Sequence, residues 1–303
     1  MKKVVYMGTP HYAKEILQTL IEDEQIEIPL VITQPDRPVG RKKELKSPEV
    51  KQLAQDHHLP VLQPQKLSDE GIFEAIMDAA PDFIVVAAFG QLLPKKILDI
   101  APCINLHASL LPHYRGASPV QQSLLNSDTF TGVTAMLMEE GLDSGPILGY
   151  RYFKIPNTMT LPELMARLSE DACALTLETI HHFEQIEPLP QVHAKATHCK
   201  KIKKADGEVD FSDATKLYDK YRAFKGWPGI FFANGTKLLE VELLTSDRSH
   251  EAGKILAIED QSIVVGCTKG SIRIGQLQPV SKRAMDAKSY CVGRGLKVDD
   301  SLF

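Results

Sequence analysis

The chain has 303 residues, of which 43% are hydrophobic and 24% are charged, and its formal net charge is −4. This length predicts two domains of ordinary size, and the composition excludes collagen-like, disordered and disulfide-scaffold classes. A weakly acidic chain is not, as a whole, a strongly basic nucleic-acid binder. The five cysteines form no CxxC pair, which argues against a cysteine-based zinc or redox site and is typical of free thiols in a reducing compartment.

The N-terminus predicts neither export nor membrane insertion. It runs from Met1 directly into a strand-like segment, without the apolar core or the cleavage site of a signal peptide. No apolar stretch approaches the roughly 20 residues that a membrane-spanning helix needs. We therefore expect a cytoplasmic protein.

Short apolar runs alternate with helical patterns in residues 1–186, which we interpret as the catalytic domain. Strands are predicted near residues 4–7, 28–32, 83–88, 103–107 and 132–138. Helices are predicted near residues 12–21, 47–56, 69–79, 119–125 and 161–185. Unalternated apolar runs separated by helices favour a doubly wound α/β domain with a mostly parallel, Rossmann-like sheet.

Residues 187–205 interrupt this pattern with two prolines and five lysines, and we interpret them as a basic linker. Beyond the linker, a helical segment near 212–224 precedes a series of short strands. These strands are predicted near residues 229–233, 237–244, 253–259, 262–267 and 271–279. The series predicts a smaller C-terminal, OB-like β-barrel domain over residues 206–303.

The charges are unevenly distributed along the chain. Residues 1–192 carry 16 basic and 25 acidic side chains, whereas residues 193–204 carry five lysines and no acid. A charged run usually marks a solvated face, but a basic joint after an acidic domain is also compatible with a path for a polyanion. Composition leaves both interpretations open.

Several common catalytic motifs are missing from the sequence. Gly8-Thr9-Pro10, after the first predicted strand, lacks the further glycines of GxGxxG, and neither GxxxxGK[ST] nor GxSxG occurs. Dinucleotide binding, P-loop phosphoryl transfer and serine hydrolysis are therefore disfavoured.

Asn105 and His107 lie two residues apart at the end of a predicted strand. This spacing places both side chains on one face of the sheet, at the carboxyl edge where open α/β sheets bind ligands. Asp143 follows the strand near 132–138 in a glycine-flanked loop, and it can orient His107 if the two strands are neighbours. Each feature alone is more typical of a structural strand end or an Asx turn.

Together, these three side chains suit a particular kind of chemistry. An amide and an imidazole can both donate hydrogen bonds to one developing negative charge. The set contains no serine or cysteine nucleophile and no group of metal ligands, so we expect no metal. It favours direct transfer of an acyl-like group to a nucleophile through a tetrahedral oxyanion adduct.

The segment from Thr33 to Pro48 leaves the same edge of the sheet. Its prolines and Gly40 predict an irregular loop. It carries five positive charges, on Arg37, Arg41, Lys42, Lys43 and Lys46. A basic loop at this edge indicates an anionic substrate, although a solvated surface loop is also compatible with the pattern.

Several segments share a specific combination of residues with a known family. The main matches are Asn105-x-His107-x-Ser109-Leu110-Leu111-Pro112-x-x-Arg115-Gly116 and Leu142-Asp143-x-Gly145. Further matches are Met7-Gly8-Thr9-Pro10, Gln34-Pro35-Asp36-Arg37-Pro38-x-Gly40-Arg41, Gln121, Phe224-Lys225-Gly226-Trp227-Pro228 and Leu277-Gln278-Pro279-x-x-Lys282-Arg283-Ala284-Met285. Over essentially its whole length, the chain resembles the 10-formyltetrahydrofolate-dependent formyltransferases, and most closely those that act on methionine-charged tRNA.

The resemblance implies transfer of the formyl group of 10-formyltetrahydrofolate to the α-amine of methionine on initiator methionyl-tRNA, for use in translation initiation. It implies Asn105, His107 and Asp143 as the catalytic residues. The implied folate contacts are Ser109, Leu110, Leu111, Pro112, Phe89, Gly90 and Leu93. The implied tRNA contacts are Arg37, Arg41, Lys42, Lys43, Lys46, Lys200 and Lys203. Neither a metal nor an obligate protein partner is implied.

Three alternatives stay open. A relative with the same catalytic domain would formylate an amino-sugar nucleotide, but it would not need the basic loop and linker. A formyltetrahydrofolate hydrolase would use water as the acceptor. An RNA-binding module with a degenerate folate site would not need the Asn105, His107 and Asp143 set.

Overall fold

The structure is a computed structural model that describes residues 1–39 and 43–303. These residues form two compact units. The first unit consists of Met1–Pro119, Phe130–Lys154 and Met165–Lys200, and the second of Val120–Thr129, Ile155–Leu164 and Lys201–Phe303. Two segments that precede the linker in sequence therefore pack with the second unit.

The elements up to residue 200 alternate between strands and helices. The strands are β1 (Lys2–Gly8), β2 (Ile26–Ile32), β3 (Arg37–Val39), β4 (Glu44–Lys46), β5 (Val61–Leu62), β6 (Phe83–Ala87), β7 (Cys103–His107), β8 (Arg115–Gly116), β9 (Phe130–Leu137), β10 (Ile147–Lys154) and β11 (His198–Cys199). The helices are α1 (His11–Glu22), α2 (Glu49–Asp56), α3 (Ile72–Asp78), α4 (Lys95–Leu98), α5 (Pro119–Leu125) and α6 (Leu161–His181).

A seven-stranded sheet in the order β10-β9-β7-β6-β1-β2-β5 organises the first unit. β9 is antiparallel to both of its neighbours, and the remaining strand pairs are parallel. Every residue of β6 and β7 is buried, which is typical of a sheet covered on both faces. The predicted mostly parallel, Rossmann-like sheet is confirmed.

A short hairpin replaces the irregular loop that the prolines and Gly40 predict, so that expectation was wrong. β3 and β4 pair in antiparallel orientation, with Arg37 opposite Lys46 and Pro38 opposite Leu45. Pro38 is tolerated because both strands of a two-stranded ladder are edges, where a missing N–H need not be paired. Arg41 and Lys42 lie outside the described residues.

The segment predicted as a linker is partly bound to the first unit. Leu189 forms an isolated bridge with Ile147, and β11 pairs in parallel with β8. A short 3-10 turn at His193–Lys195 precedes β11, and another at Lys204–Gly207 follows it. Backbone pairing therefore places Leu189 beside β10, and it places His198 and Cys199 beside the loop that follows β7.

The second unit contains a small antiparallel sheet. Its elements are α7 (Ala214–Ala223), β12 (Ile230–Phe231), β13 (Lys237–Thr245), β14 (Ile255–Ile258), β15 (Ile263–Gly266), β16 (Ser271–Gln278), β17 (Met285–Asp286) and α8 (Ala287–Arg294). The strands pair in the order β12-β13-β16-β15-β14, with β17 added to β16. The five short strands predicted from sequence are β12 to β16, whereas α8 was not predicted.

Membrane spans and thiols were the subject of two further expectations. Within the described residues, no helix has the length and apolarity that crossing a membrane requires. All five cysteines are free thiols, as predicted.

Candidate active site

β7 places Asn105 and His107 on one face of the sheet, near its carboxyl end. The two residues are 8% and 7% exposed. In the ladder with β9, Asn105 lies opposite Met136 and His107 lies opposite Thr134. The side-chain amide of Asn105 makes no hydrogen bond with the described residues, so its two protons are available to a ligand.

The imidazole of His107 has a defined orientation. Its Nδ1 lies 2.9 Å from Ser109 Oγ. The Ser109 hydroxyl donates to the His113 carbonyl at 2.7 Å, so its oxygen accepts from Nδ1, and that ring nitrogen carries a proton. Nε2 is buried and makes no hydrogen bond within the described part of the chain. Nε2 is therefore the ring nitrogen left for chemistry.

Asp143 approaches this imidazole along an indirect path. Because β9 is antiparallel to β7, the loop after β9 begins beside Ile104 and not beside His107. The loop must span the three-residue step from Ile104 to His107, roughly 10 Å along the strand. Asp143 Oδ2 nevertheless lies 3.3 Å from His107 Nε2, although the angles do not satisfy a hydrogen bond.

The environment of Asp143 keeps its carboxylate ionised. Burial alone would raise the pKa of Asp143, but the His107 imidazole, the Gly116 N–H and the Arg115 guanidinium together hold that pKa below its ordinary value. The Gly116 N–H donates to Oδ2 at 2.8 Å. Gly116 has φ +114°, and a Cβ there would lie 2.5 Å from the Cys199 carbonyl oxygen, so this position requires glycine.

The segment from Ser109 to Pro112 is held against the sheet by hydroxyl groups. Thr134 Oγ1 donates to the Ser109 carbonyl at 2.6 Å and accepts from the Leu111 N–H at 3.1 Å. The Tyr150 hydroxyl donates to the Leu111 carbonyl at 2.7 Å. Leu111 is buried and packs with Met136 and Ile147, whereas Leu110 and Pro112 are half-buried. This segment lies directly beside His107.

The other predicted folate residues have mixed environments. The side chains of Phe89 and Leu93 are buried in the core beside β1 and β6, whereas Gly90 is exposed with φ +84°. The Phe89 carbonyl accepts from Gln34 Nε2 at 3.1 Å. Phe89 and Leu93 therefore pack beneath the carboxyl edge of the sheet, and the exposed backbone of Gly90 is accessible to a ligand.

The predicted tRNA contacts that the structure describes are all exposed. They are Arg37, Lys43, Lys46, Lys200 and Lys203. Arg37 and Lys46 face each other across the hairpin and help to line a cavity of about 240 Å³ next to Thr9 and Pro10. This cavity lies at the ends of β1 and β2, on the same carboxyl edge as His107.

Asp36 fixes the base of this hairpin. Its carboxylate accepts from Gln63 Nε2 at 2.7 Å, from Lys51 Nζ at 2.8 Å and from the Ser47 hydroxyl at 3.1 Å. The hydrogen bonds from Gln63 and Lys51 lower the pKa of Asp36. The acidic residue inside the basic segment is therefore an anchor for the hairpin.

Sequence reasoning missed four contributors to the site. Arg115 stands in the matched motif without a role, and Thr134 and Tyr150 look like ordinary strand residues. Gln191 follows two prolines in the predicted linker, and no local pattern marks it. Among the described residues, no cluster of three or more potential metal ligands was found.

Comparison with known proteins identifies the family. The model of the family described as formyl transferase matches residues 1–180, and that of the formyl transferase C-terminal domain matches residues 201–295. A methionyl-tRNA formyltransferase from Sulfurovum sp. is 63% identical over 300 residues, which are 99% of each chain.

Solved structures share the fold at low identity. An N-formyltransferase from Helicobacter canadensis, in complex with folinic acid and dTDP-3-aminofucose, aligns over 92% of this chain and 100% of its own, with TM-score 0.67 and 18% identity. HypX from Aquifex aeolicus, in complex with tetrahydrofolic acid, aligns over 99% of this chain with TM-score 0.62 and 16% identity. The present chain spans 48% of that longer protein. The chain belongs to the formyl transferase family, and its full-length similarity is to relatives that carry the name methionyl-tRNA formyltransferase.

Proposed function

We propose that the protein transfers the formyl group of 10-formyltetrahydrofolate to the α-amine of methionine on initiator methionyl-tRNA, which gives N-formylmethionyl-tRNA for translation initiation. The full-length relative at 63% identity supports this acceptor. The folates bound to the two structural neighbours support the donor class. The reaction takes place in the cytoplasm, where aminoacyl-tRNA is used.

One observation carries the mechanism. His107 Nε2 is buried without a hydrogen-bond partner in the described protein, and an ionised carboxylate lies beside it. On the same sheet face, the side-chain amide of Asn105 also makes no hydrogen bond with the described residues. Unpaired buried polar groups are costly unless a ligand uses them. Hydrogen-bond donors placed where an oxyanion forms typically contribute about 10²–10³ in rate each.

The proposed chemistry uses these groups directly. The neutral methionine amine attacks the formyl carbon, and the carbonyl oxygen becomes an oxyanion that accepts from Asn105 and from protonated His107. The ionised Asp143 beside Nε2 stabilises a proton on that nitrogen and assists proton transfer, directly or through water. The carbon–N10 bond then breaks, N10 takes a proton, the amine loses one, and tetrahydrofolate leaves.

The loop beside His107 is the proposed folate site. Ser109, Leu110, Leu111 and Pro112 form its inner wall, and the exposed backbone at Gly90 closes the same edge, above the core residues Phe89 and Leu93. Half-buried apolar side chains next to free donors suit a flat heterocycle with a reactive carbonyl. No bound metal is required by this chemistry.

The basic hairpin is the proposed tRNA surface. Arg37 lies directly opposite Lys46, and like charges opposite each other in a ladder are destabilising. A phosphate bound between them would relieve that repulsion. We assign the same role to the exposed Lys43, Lys200 and Lys203, and to Arg41 and Lys42, which lie outside the described residues.

An amino-sugar nucleotide is the second candidate acceptor. The neighbour bound to dTDP-3-aminofucose favours it, because that protein shares the fold over most of this chain. Its identity of 18% is far below the 63% of the tRNA-directed relative, so methionyl-tRNA stays the first choice.

The experiment supplies 10-formyltetrahydrofolate with methionine-charged initiator tRNA, with an amino-sugar nucleotide, or with no acceptor, and identifies the formylated product. Formylmethionyl-tRNA formed at a rate at least about 10²-fold above the other arms is expected. Preferential formylation of the sugar, or formate release without an acceptor at the same rate, would contradict the proposal.

A further inference from the structure

A buried amide outside the sheet holds the loop that carries Asp143. Gln191 is 5% exposed and belongs to the segment that the sequence predicts as a linker. Its Nε2 donates to the Asp143 carbonyl at 2.9 Å and to the Gly145 carbonyl at 2.7 Å. The two protons of one amide thus fix the backbone on both sides of Ser144.

The other end of this amide is also occupied. Gln191 Oε1 accepts from Nε of Arg115 at 3.1 Å and from Nη2 of the same guanidinium. A flipped amide would turn its oxygen toward two carbonyls, so these partners allow one orientation only. Arg115 is 5% exposed, and its Nη2 also lies 3.2 Å from His193 Nδ1.

The same network reaches the carboxylate of Asp143. Gly116, the residue after Arg115, donates its N–H to Oδ2 at 2.8 Å. The Arg115 N–H donates to the Thr197 carbonyl at 2.9 Å, which ties this strand to the residues after Gln191. Asp143 is therefore held at its backbone by Gln191 and at its carboxylate by Gly116.

This support is needed because of the conformation of the loop. Asp143 has φ +50°, a left-handed backbone that costs free energy for a residue with a Cβ. The preceding Gly141 and Leu142 are exposed, so little packing restrains that side of the loop. Hydrogen bonds from a buried, satisfied amide can hold such a backbone in place.

We propose that Gln191 is a positioning residue that keeps the Asp143 carboxylate facing His107 Nε2, and that Arg115 fixes the orientation of the Gln191 amide. The inference rests on the proposed function, in which Asp143 acts on His107. Gln191 acts through Asp143 and touches no substrate atom.

The test is a double-mutant cycle between Gln191→Met and Asp143→Asn, measured by formyl transfer to methionyl-tRNA. Gln191→Met should lower kcat by about 10- to 100-fold, because a displacement near 1 Å in a catalytic group costs up to about 10²-fold. The KM values for both substrates should stay within about twofold. In the Asp143→Asn background, Gln191→Met should change kcat by less than about threefold, because the two residues act as one unit.

A second variant distinguishes the loss of the two hydrogen-bond donors from a loss of folding. Gln191→Glu keeps the shape of the side chain and gains an ion pair with Arg115, but it replaces both donors with an acceptor. It should lower kcat at least as much as Gln191→Met. The matched control is Thr176→Val, which removes one buried hydrogen bond to the Ala172 carbonyl within α6 and should leave kcat unchanged.

The outcomes separate this inference from the proposed function. Wild-type kcat in both Gln191 variants, with Asp143→Asn impaired, would overturn the inference alone. Additive losses in the double variant would also overturn it, because Gln191 would then act elsewhere. An Asp143→Asn variant with wild-type kcat would overturn the role of Asp143 in the proposed function itself.

Discussion

Replacing Asp143 with asparagine removes one negative charge and keeps the shape of the side chain. The charge lies 3.3 Å from His107 Nε2. At that distance two opposite unit charges attract by roughly 5 kcal/mol at an effective dielectric constant of about 20. Desolvation of the two buried groups offsets part of this attraction. A net loss of about 2.7 kcal/mol in the transition state corresponds to a rate about 10²-fold lower.

Single-turnover formyl transfer at saturating substrates is the appropriate assay, because it separates chemistry from product release. Folate affinity, measured by equilibrium binding, should stay within about twofold of the wild type. Asp23→Asn is the matched control: it removes a carboxylate that lies 2.8 Å from His181 Nε2, away from the site. A single-turnover rate for Asp143→Asn within about threefold of the wild type would contradict the role of the Asp143 charge.

Three other predictions follow from the same geometry. Ser109→Ala removes the acceptor of His107 Nδ1 and should lower kcat about five- to tenfold with little change in the KM for tRNA, as steady-state kinetics can establish. Arg37→Ala and Lys46→Ala should each raise the KM for tRNA and leave the KM for the formyl donor unchanged. Each variant should also reduce the slope of log kcat/KM against log salt concentration by about one, and a slope equal to that of the wild type would contradict this. Asp36→Asn should lower the melting temperature near pH 7. The difference from the wild type should vanish as the pH falls through the lowered pKa of Asp36, because the ionised carboxylate contributes stability only above that pKa. A constant difference in melting temperature between pH 7 and pH 3 would argue against Asp36 as the anchor of the hairpin.

Much of the fold was predictable because its signals are local. β6 is an unbroken apolar run, and it forms a central buried strand of the sheet. The helix Pro119–Leu125 begins at a proline, which is favoured in the first turn, and its bounds match the prediction. The hairpin β3–β4 was missed because an edge strand that contains a proline can still pair when no third strand requires its missing N–H.

The site was predictable only in part. The two-residue spacing of Asn105 and His107 fixes their shared face, so their proximity follows from any strand at that position. The approach of Asp143 does not follow in this way, because the antiparallel direction of β9 starts its loop at the wrong end of β7. Gln191 lies 48 residues from Asp143 in sequence, and only tertiary packing brings them together.

The most direct test of the proposed function compares the wild type with His107→Ala in formyl transfer from 10-formyltetrahydrofolate to methionine-charged initiator tRNA. We expect rapid transfer by the wild type and a loss of at least about 10²-fold in the variant, with folate binding retained. Transfer that persists in the variant, or a wild type that binds folate and formylates no methionyl-tRNA, would contradict it.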